Sequence, residues 1–257
     1  MESLIELRRV GKTFANGTQA LAGMSLSIEQ GEFVSLLGPS GCGKSTVLRM
    51  IAGLAEPSSG EIVGGAGKGA RRDAHDIGFV FQEPTLMPWA PVLDNVMLPL
   101  KLKREPPGAA REQVGQALAM VGLEKFARSY PRELSGGMKM RVSIARALIT
   151  RPKLLLMDEP FAALDEMTRL KLNDDLLRLW QEFGLTIVFV THSVYESVYL
   201  SSRVVVMAAR PGRVVADEKI DAPYPRDEEF RLSPAYAAAC RRVSQALHGA
   251  AAPAEAM

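Results

Sequence analysis

The sequence is poor in cysteine, has no long apolar run and carries almost no excess of charge. Its two cysteines, Cys42 and Cys240, lie far apart. That excludes a disulfide framework and leads us to expect free thiols in a reducing compartment, the cytoplasm. No stretch approaches the roughly 18 to 20 apolar residues that a membrane-spanning helix needs. The opening residues, MESLIELRRV, show no charged region followed by an apolar one, so no signal peptide is expected. Lys and Arg number 31 against 29 Asp and Glu, a net charge of +2. Nothing global therefore draws the chain to nucleic acid or to an acidic lipid surface. No internal repeat is visible.

What is present is a series of short apolar runs: Phe33 to Leu37, Ile77 to Phe81, Leu154 to Met157, Thr186 to Val190 and Val204 to Met207. They are apolar nearly throughout, as in strands of a parallel sheet covered on both faces. Helical stripes separate them. Val47, Ile51 and Leu54 form one, with Gly53 as its end signal. Met138, Val142, Ala145 and Ile149 form another, and Leu172, Leu176, Leu179 and Phe183 a third. Strands alternating with helices predict an α/β fold with a parallel-rich sheet. From about residue 88 to 152 the rhythm changes to helical patterns alone, with Val114, Leu118 and Val121 on one stripe after a loop at Pro106, Pro107 and Gly108. A helical insertion is expected there. Tyr236, Cys240, Val243 and Leu247 mark a last amphipathic helix, and residues 249–257 a frayed tail. The stretch from Gly64 to Gly69 lacks a strand-to-helix setting and reads as a flexible turn.

Three motifs carry chemistry. Gly38, Pro39, Ser40, Gly41, Cys42, Gly43, Lys44 and Ser45, followed by Thr46, match G-x-x-x-x-G-K-[ST] between a strand and a helix. Glycines let successive N–H groups curl around phosphate oxygens, and the next helix aims its unpaired N–H groups at the same anion. The helix dipole supplies only about 0.3 to 2 kcal/mol, so the full charge of Lys44 is needed at the β- and γ-phosphates, with the Ser45 hydroxyl for Mg²⁺. The strand Leu154 to Met157 ends in Asp158 and Glu159. Asp158 suits a Mg²⁺ ligand, and Glu159 can orient or deprotonate an attacking water. Ser135, Gly136 and Gly137 open the helix of the Met138 stripe. Ser135 alone would cap it, but a second glycine weakens a helix start by up to about 1 kcal/mol. A second phosphate-binding helix terminus accounts better for the pair. Cys42, beside Lys44 and a helix N-terminus, is expected to be a low-pKa, reactive thiol.

GPSGCGKST, Gln82 after a strand, LSGGM, LLLMDEP, Phe161 to Asp165, and Thr191 with His192 occur in the order that resembles ATP-binding cassette (ABC) transporter ATPases. The resemblance spans about residues 3–220. It implies a P-loop NTPase (RecA-like) core at about 3–87 and 152–220 with an antiparallel β portion near the N-terminus. An ABC helical subdomain would be inserted at about 88–151, and 221–257 would form a C-terminal helical extension. It further implies ATP hydrolysis with Mg²⁺, and a head-to-tail dimer in which Lys44 of one copy and Ser135 with Gly137 of the other grip one nucleotide. By the same resemblance Gln82 contacts Mg²⁺ or water, His192 is a switch near the γ-phosphate, Asp165 belongs to the site, and Phe14 stacks on adenine where Tyr is more usual. Phe14 read by itself is a core residue, and a lone His after an apolar strand is structural.

Met138, Ala163 and Ser193 depart from the family's commoner Gln, Ser and Asp, and none removes a phosphate ligand or the base. LSGGMKMRVSIARAL with FQEPTLMPW is similar to importers of nitrate, sulfonate, taurine and related solutes. That implies permease subunits as partners, a solute-binding protein acting indirectly, and a peripheral place on the cytoplasmic face of the inner membrane. Trp89 reads either as a permease contact or as packing within the domain. Lys101, Lys103 and Arg104 read as a solvated face, and His75 and His248 as exposed. DNA-associated ABC ATPases would place long heptad arrays between Lys44 and Ser135, which lie only 91 positions apart here, and translation-factor forms carry two cassettes. A small-molecule kinase would have no use for LSGGM.

Overall fold

Two sheets of different character share one framework. In the computed structural model, which describes residues 3–64, 77–209 and 211–251, strands β1 (Ser3–Thr13), β2 (Gln19–Glu29) and β4 (Ser59–Gly64) make a three-stranded antiparallel sheet, order β2-β1-β4. Strand β2 alternates, burying Leu21, Met24, Leu26 and Ile28, as one face of such a sheet requires. The second sheet has order β5-β6-β7-β3-β8-β9. Its strands are β3 (Phe33–Leu37), β5 (Ile77–Val80), β6 (Leu154–Asp158), β7 (Thr186–Thr191), β8 (Arg203–Ala208) and β9 (Arg213–Lys219). All pair in parallel except β9, which runs antiparallel to β8 at the edge. The five apolar runs of the sequence are thus the five parallel strands. Strand β9, with residues alternately exposed and half-buried, shows no apolar run to betray it.

Helix α1 (Lys44–Ile51) follows β3. It stops where Gly53 takes φ +71, and the Leu54 N–H bonds the Arg49 carbonyl at 2.8 Å, a Schellman-type end. Leu54, expected on the buried stripe, lies beyond this stop and is exposed. Between β5 and β6 come α2 (Val92–Leu102), α3 (Pro107–Met120) and α4 (Gly136–Leu148), with two short 3₁₀ turns and no strand. The helical insertion is as expected, but α3 already begins at Pro107 rather than after Gly108. Proline has no N–H to lose in a first helical turn. Helix α5 (Glu166–Phe183) joins β6 to β7, α6 (Val194–Leu200) joins β7 to β8, and α7 (Glu228–Leu232) and α8 (Pro234–Ala251) follow β9.

Helix α8 docks through Ala239, Cys240 and Val243 onto Val204 and Val206 of β8. Fully burying Val243 stabilises by about 1.5 to 3 kcal/mol. The half-exposed Arg242–Glu218 pair at 3.7 Å contributes about 0 to 1 kcal/mol, so the apolar stripe holds the extension. His248 is exposed, as expected. His75, residues 65–69 of the glycine-rich turn and residues 252–257 of the tail lie outside the described residues.

Candidate functional site

Three neighbouring parallel strands end at the same level. Leu37 of β3 pairs with Thr191 of β7, and Asp158 of β6 pairs with Val190. The loop after β3, the carboxylates after β6 and the histidine after β7 therefore meet at the carboxyl edge of the sheet, where open α/β sheets bind ligands. Ser45 Oγ donates to Asp158 Oδ1 at 2.8 Å across 113 positions of sequence. Lys44 Nζ, almost wholly buried, donates to the Gly38 and Pro39 carbonyls at 2.7 and 3.1 Å and stands 3.8 Å from Glu159 Oε1. Glu159 Oε2 lies 3.5 Å from His192 Nδ1. Glu159 thus joins the loop lysine to the histidine.

Local backbone arranges this. Glu159 has φ +47, and its N–H bonds the Val190 carbonyl at 3.0 Å. The left-handed turn costs a non-glycine residue about 1 to 3 kcal/mol. It swings consecutive side chains apart, Asp158 to Ser45 and Glu159 to Lys44 and His192. Gly43, at φ +95, occupies the N-cap of α1 without any side-chain cap, so the first N–H groups of the helix remain available to an anion. A Cβ at Gly38 would meet the Met207 carbonyl oxygen at 2.6 Å and Cys42 Sγ at 2.8 Å. Burial raises the Asp158 pKa, opposed by the Ser45 hydrogen bond. A hydroxyl and a carboxylate side by side are hard oxygen donors of the kind Mg²⁺ takes, one or two from protein and the rest from phosphate and water. The residues present fit that ion.

A cleft of about 420 Å³ opens over the loop, lined by Ser40, Gly41, Gly43, Lys44, Ser45, Thr46 and Glu159 on one side. Phe14, Thr18, Gln19 and Ala20 line the other. Phe14 is 45% exposed, not a core residue. Thr18, Gln19 and Ala20 escaped sequence reasoning, because the end of a polar turn and the first residues of β2 carry no pattern that points to a ligand. Cys42 is fully buried and absent from the cleft wall, and burial raises its thiol pKa despite Lys44. The expected low-pKa thiol is therefore corrected: desolvation outweighs the neighbouring cation.

The remaining candidates do not line the cleft. Ser135 caps α4, its Oγ accepting the Met138 N–H at 3.3 Å, and both Ser135 and Gly136 are exposed. A Cβ at Gly137 would strike Thr168 Cγ2 at 2.5 Å, so this glycine also lets α4 approach α5. Asp165 caps α5 by accepting the Thr168 N–H at 2.9 Å, which holds its pKa down. Gln82 is exposed just after β5. None of Gln82, Ser135, Gly136, Gly137 and Asp165 lines the cleft.

Comparison with known proteins gives a consistent result. The ABC transporter family pattern matches residues 21–162. The chain is 48% identical to an uncharacterized ABC transporter ATP-binding protein of Methanocaldococcus jannaschii, covering 88% of this chain and 86% of that one. It is 44% identical to an aliphatic sulfonates import ATP-binding protein, SsuB 1, of Xanthomonas axonopodis pv. citri, covering 95% and 94%. Among solved structures it is similar to a dimeric ATP-binding cassette in a post-hydrolysis state bound to ADP and Pi. That match has 37% identity and a TM-score of 0.74, and covers 85% of this chain and all of that one.

Proposed function

This chain belongs to the ABC transporter family and is an ATP hydrolase, and from that premise we propose that it powers uptake of a small solute through a membrane permease. The observation that carries the reading is the meeting of Lys44, Ser45, Asp158, Glu159 and His192 at one sheet edge beside the cleft. Lys44 and the loop N–H groups from Gly38 to Thr46 bind the phosphates of ATP, and Phe14 stacks on the base. Ser45 and Asp158, with Gln82, would hold Mg²⁺, which when bound would neutralise charge on the phosphates. Glu159 takes a proton from water as its oxygen bonds the γ-phosphorus and the β–γ bridge breaks, releasing ADP and phosphate. His192, in contact with Glu159, steadies that carboxylate and senses the γ-phosphate.

Ser135, Gly136 and Asp165 are exposed outside the cleft, with Gly137 buried just behind them, which supports a role for this helix start in closing over the nucleotide of a second copy, head to tail. The dimeric cassette neighbour supports the same arrangement. Among the described residues no helix is long and apolar enough to cross a membrane. Permease subunits would therefore form the pore, with this chain peripheral on the cytoplasmic face of the inner membrane. The sulfonate-import relative favours a sulfonate, or a similar small solute such as nitrate or taurine, delivered by a solute-binding protein.

Glu159→Gln keeps the shape and removes the base. ATP binding measured by calorimetry should persist, turnover should fall by roughly 10²- to 10⁴-fold, and the ATP-bound dimer should survive a sizing column. Turnover at the wild-type rate would overturn the reading.

A further inference from the structure

The side chain of His192 is 57% exposed and, among the described residues, its one ion-pair partner is Glu159. The imidazole is therefore placed mainly by the backbone on either side of it, and that backbone is unusually tied. The Ser193 N–H donates to Thr191 Oγ1 at 3.0 Å, and that hydroxyl donates in turn to Glu196 Oε2 at 2.6 Å. The Glu196 N–H donates back to Ser193 Oγ at 3.3 Å. Thr191, Ser193 and Glu196 close a ring of hydrogen bonds around residue 192.

Ser193-x-x-Glu196 has the spacing of a capping box, in which the glutamate would accept the N–H of the capping serine directly. Here the Thr191 hydroxyl is interposed and takes that N–H, so the carboxylate grips the residue before the histidine instead. The arrangement is costly. Glu196 is 8% exposed and its Oε1 has no hydrogen-bond partner among the described residues. Burial raises its pKa, and Arg169, His192 and Glu159 stand within its electrostatic reach. A helix start alone needs no buried carboxylate.

The far end of α6 is fixed as well. The Arg226 guanidinium donates to the carbonyls of Val198, Tyr199 and Ser201 at 2.8, 2.9 and 2.9 Å. Tyr224 Oη donates to the Leu200 carbonyl at 3.0 Å, and near the start of the helix Tyr236 Oη donates to that of Tyr195 at 2.9 Å. Helix α6 is thus a post held by the segment after β9. We propose that Glu196 is a positioning residue for His192, tying the histidine's backbone to this post through the Thr191 hydroxyl. The inference rests on the reading of His192 as a residue of the hydrolytic site.

Steady-state ATPase and thermal melting of the full chain test it. Glu196→Ala and Thr191→Val should each lower kcat by roughly 10- to 100-fold, the scale of ångström-level misplacement, with little change in the KM for ATP. Thr191→Ser should recover most of the loss, because it restores the hydroxyl. Glu196→Ala should add no further loss on top of His192→Ala, since it acts through that histidine. Wild-type turnover in Glu196→Ala, a further fall in the His192→Ala background, or no recovery in Thr191→Ser would overturn the proposal. Should Glu196→Ala melt early, the Thr191→Val and Thr191→Ser pair decides alone. Wild-type turnover in His192→Ala would instead bring down the reading of the site, and this inference with it.

Discussion

Lys44 and Cys42 stand two residues apart, both buried, with Lys44 Nζ 3.8 Å from Cys42 Sγ. The lysine reaches over the Gly38 and Pro39 carbonyls towards Glu159, whereas the cysteine is turned beneath the loop against Gly38. Sequence proximity to a cation argues for a thiolate, but burial sets the pKa, and it raises the thiols of both Cys42 and Cys240. N-ethylmaleimide at neutral pH should therefore label both slowly and leave ATPase activity largely intact. ATP-Mg should not alter the rate. Rapid, nucleotide-protected modification of Cys42, read by mass spectrometry alongside activity, would contradict this burial. The family departures also find their reasons at this scale. Ser193 caps α6 as aspartate would, and Met138 packs against the core around α4. Nothing in the structure explains Ala163.

At the scale of elements, the five parallel strands could be read directly, because strands covered on both faces must be apolar at every position. The antiparallel strands could not be located that way. Strand β2 alternates with Ser25, Ser27 and Glu29 along its second half and β9 is charged along an exposed edge, so neither forms a long apolar run. Family resemblance supplied the antiparallel portion, and pairing of β1 with both β2 and β4 gave it boundaries. Helix α4 shows the converse, an element evident in sequence whose terminus has two uses. Gly137 permits contact with Thr168, while Ser135 and Gly136 stay exposed. Ser135→Arg should leave the fold and ATP binding by the monomer near wild type, since the substitution points into solvent, and should block hydrolysis by obstructing closure on a second copy. Mixing it with Lys44→Ala should restore some activity, because one of the two shared sites then carries both lesions and the other neither. Complete inactivity at every mixing ratio would argue against a shared site.

On the scale of the whole molecule, the surface between the helical insertion and the core carries the remaining prediction. Asn95, fully buried, accepts the Met87 N–H at 2.7 Å and donates to the Met87, Ala90 and Pro91 carbonyls at 3.2, 3.0 and 3.2 Å. That knot pins the loop and leaves Trp89 76% exposed. The packing reading of Trp89 finds no support, whereas a large exposed aromatic on a rigid loop suits a partner's pocket. Phe81, Leu98, Pro99 and Leu102, on the elements flanking this loop, line an apolar groove. Trp89→Ala should keep melting temperature and ATPase of the isolated chain near wild type while weakening copurification with the permease. Loss of folding would restore the packing reading. Sequence alone determined the glycine-rich loop before Lys44, the acidic strand end and the helix ends at Gly53 and Ser135, because each works through neighbours a few residues away and is written as a short spacing. It could not decide that Lys44, Glu159 and His192 would touch, that Thr18 and the start of β2 would wall the cleft, or that the Cys42 thiol would be desolvated. Those depend on which strands lie side by side and how their ends align. That is a property of sheet order and packing, reached only when segments more than a hundred residues apart come together in β3, β6 and β7.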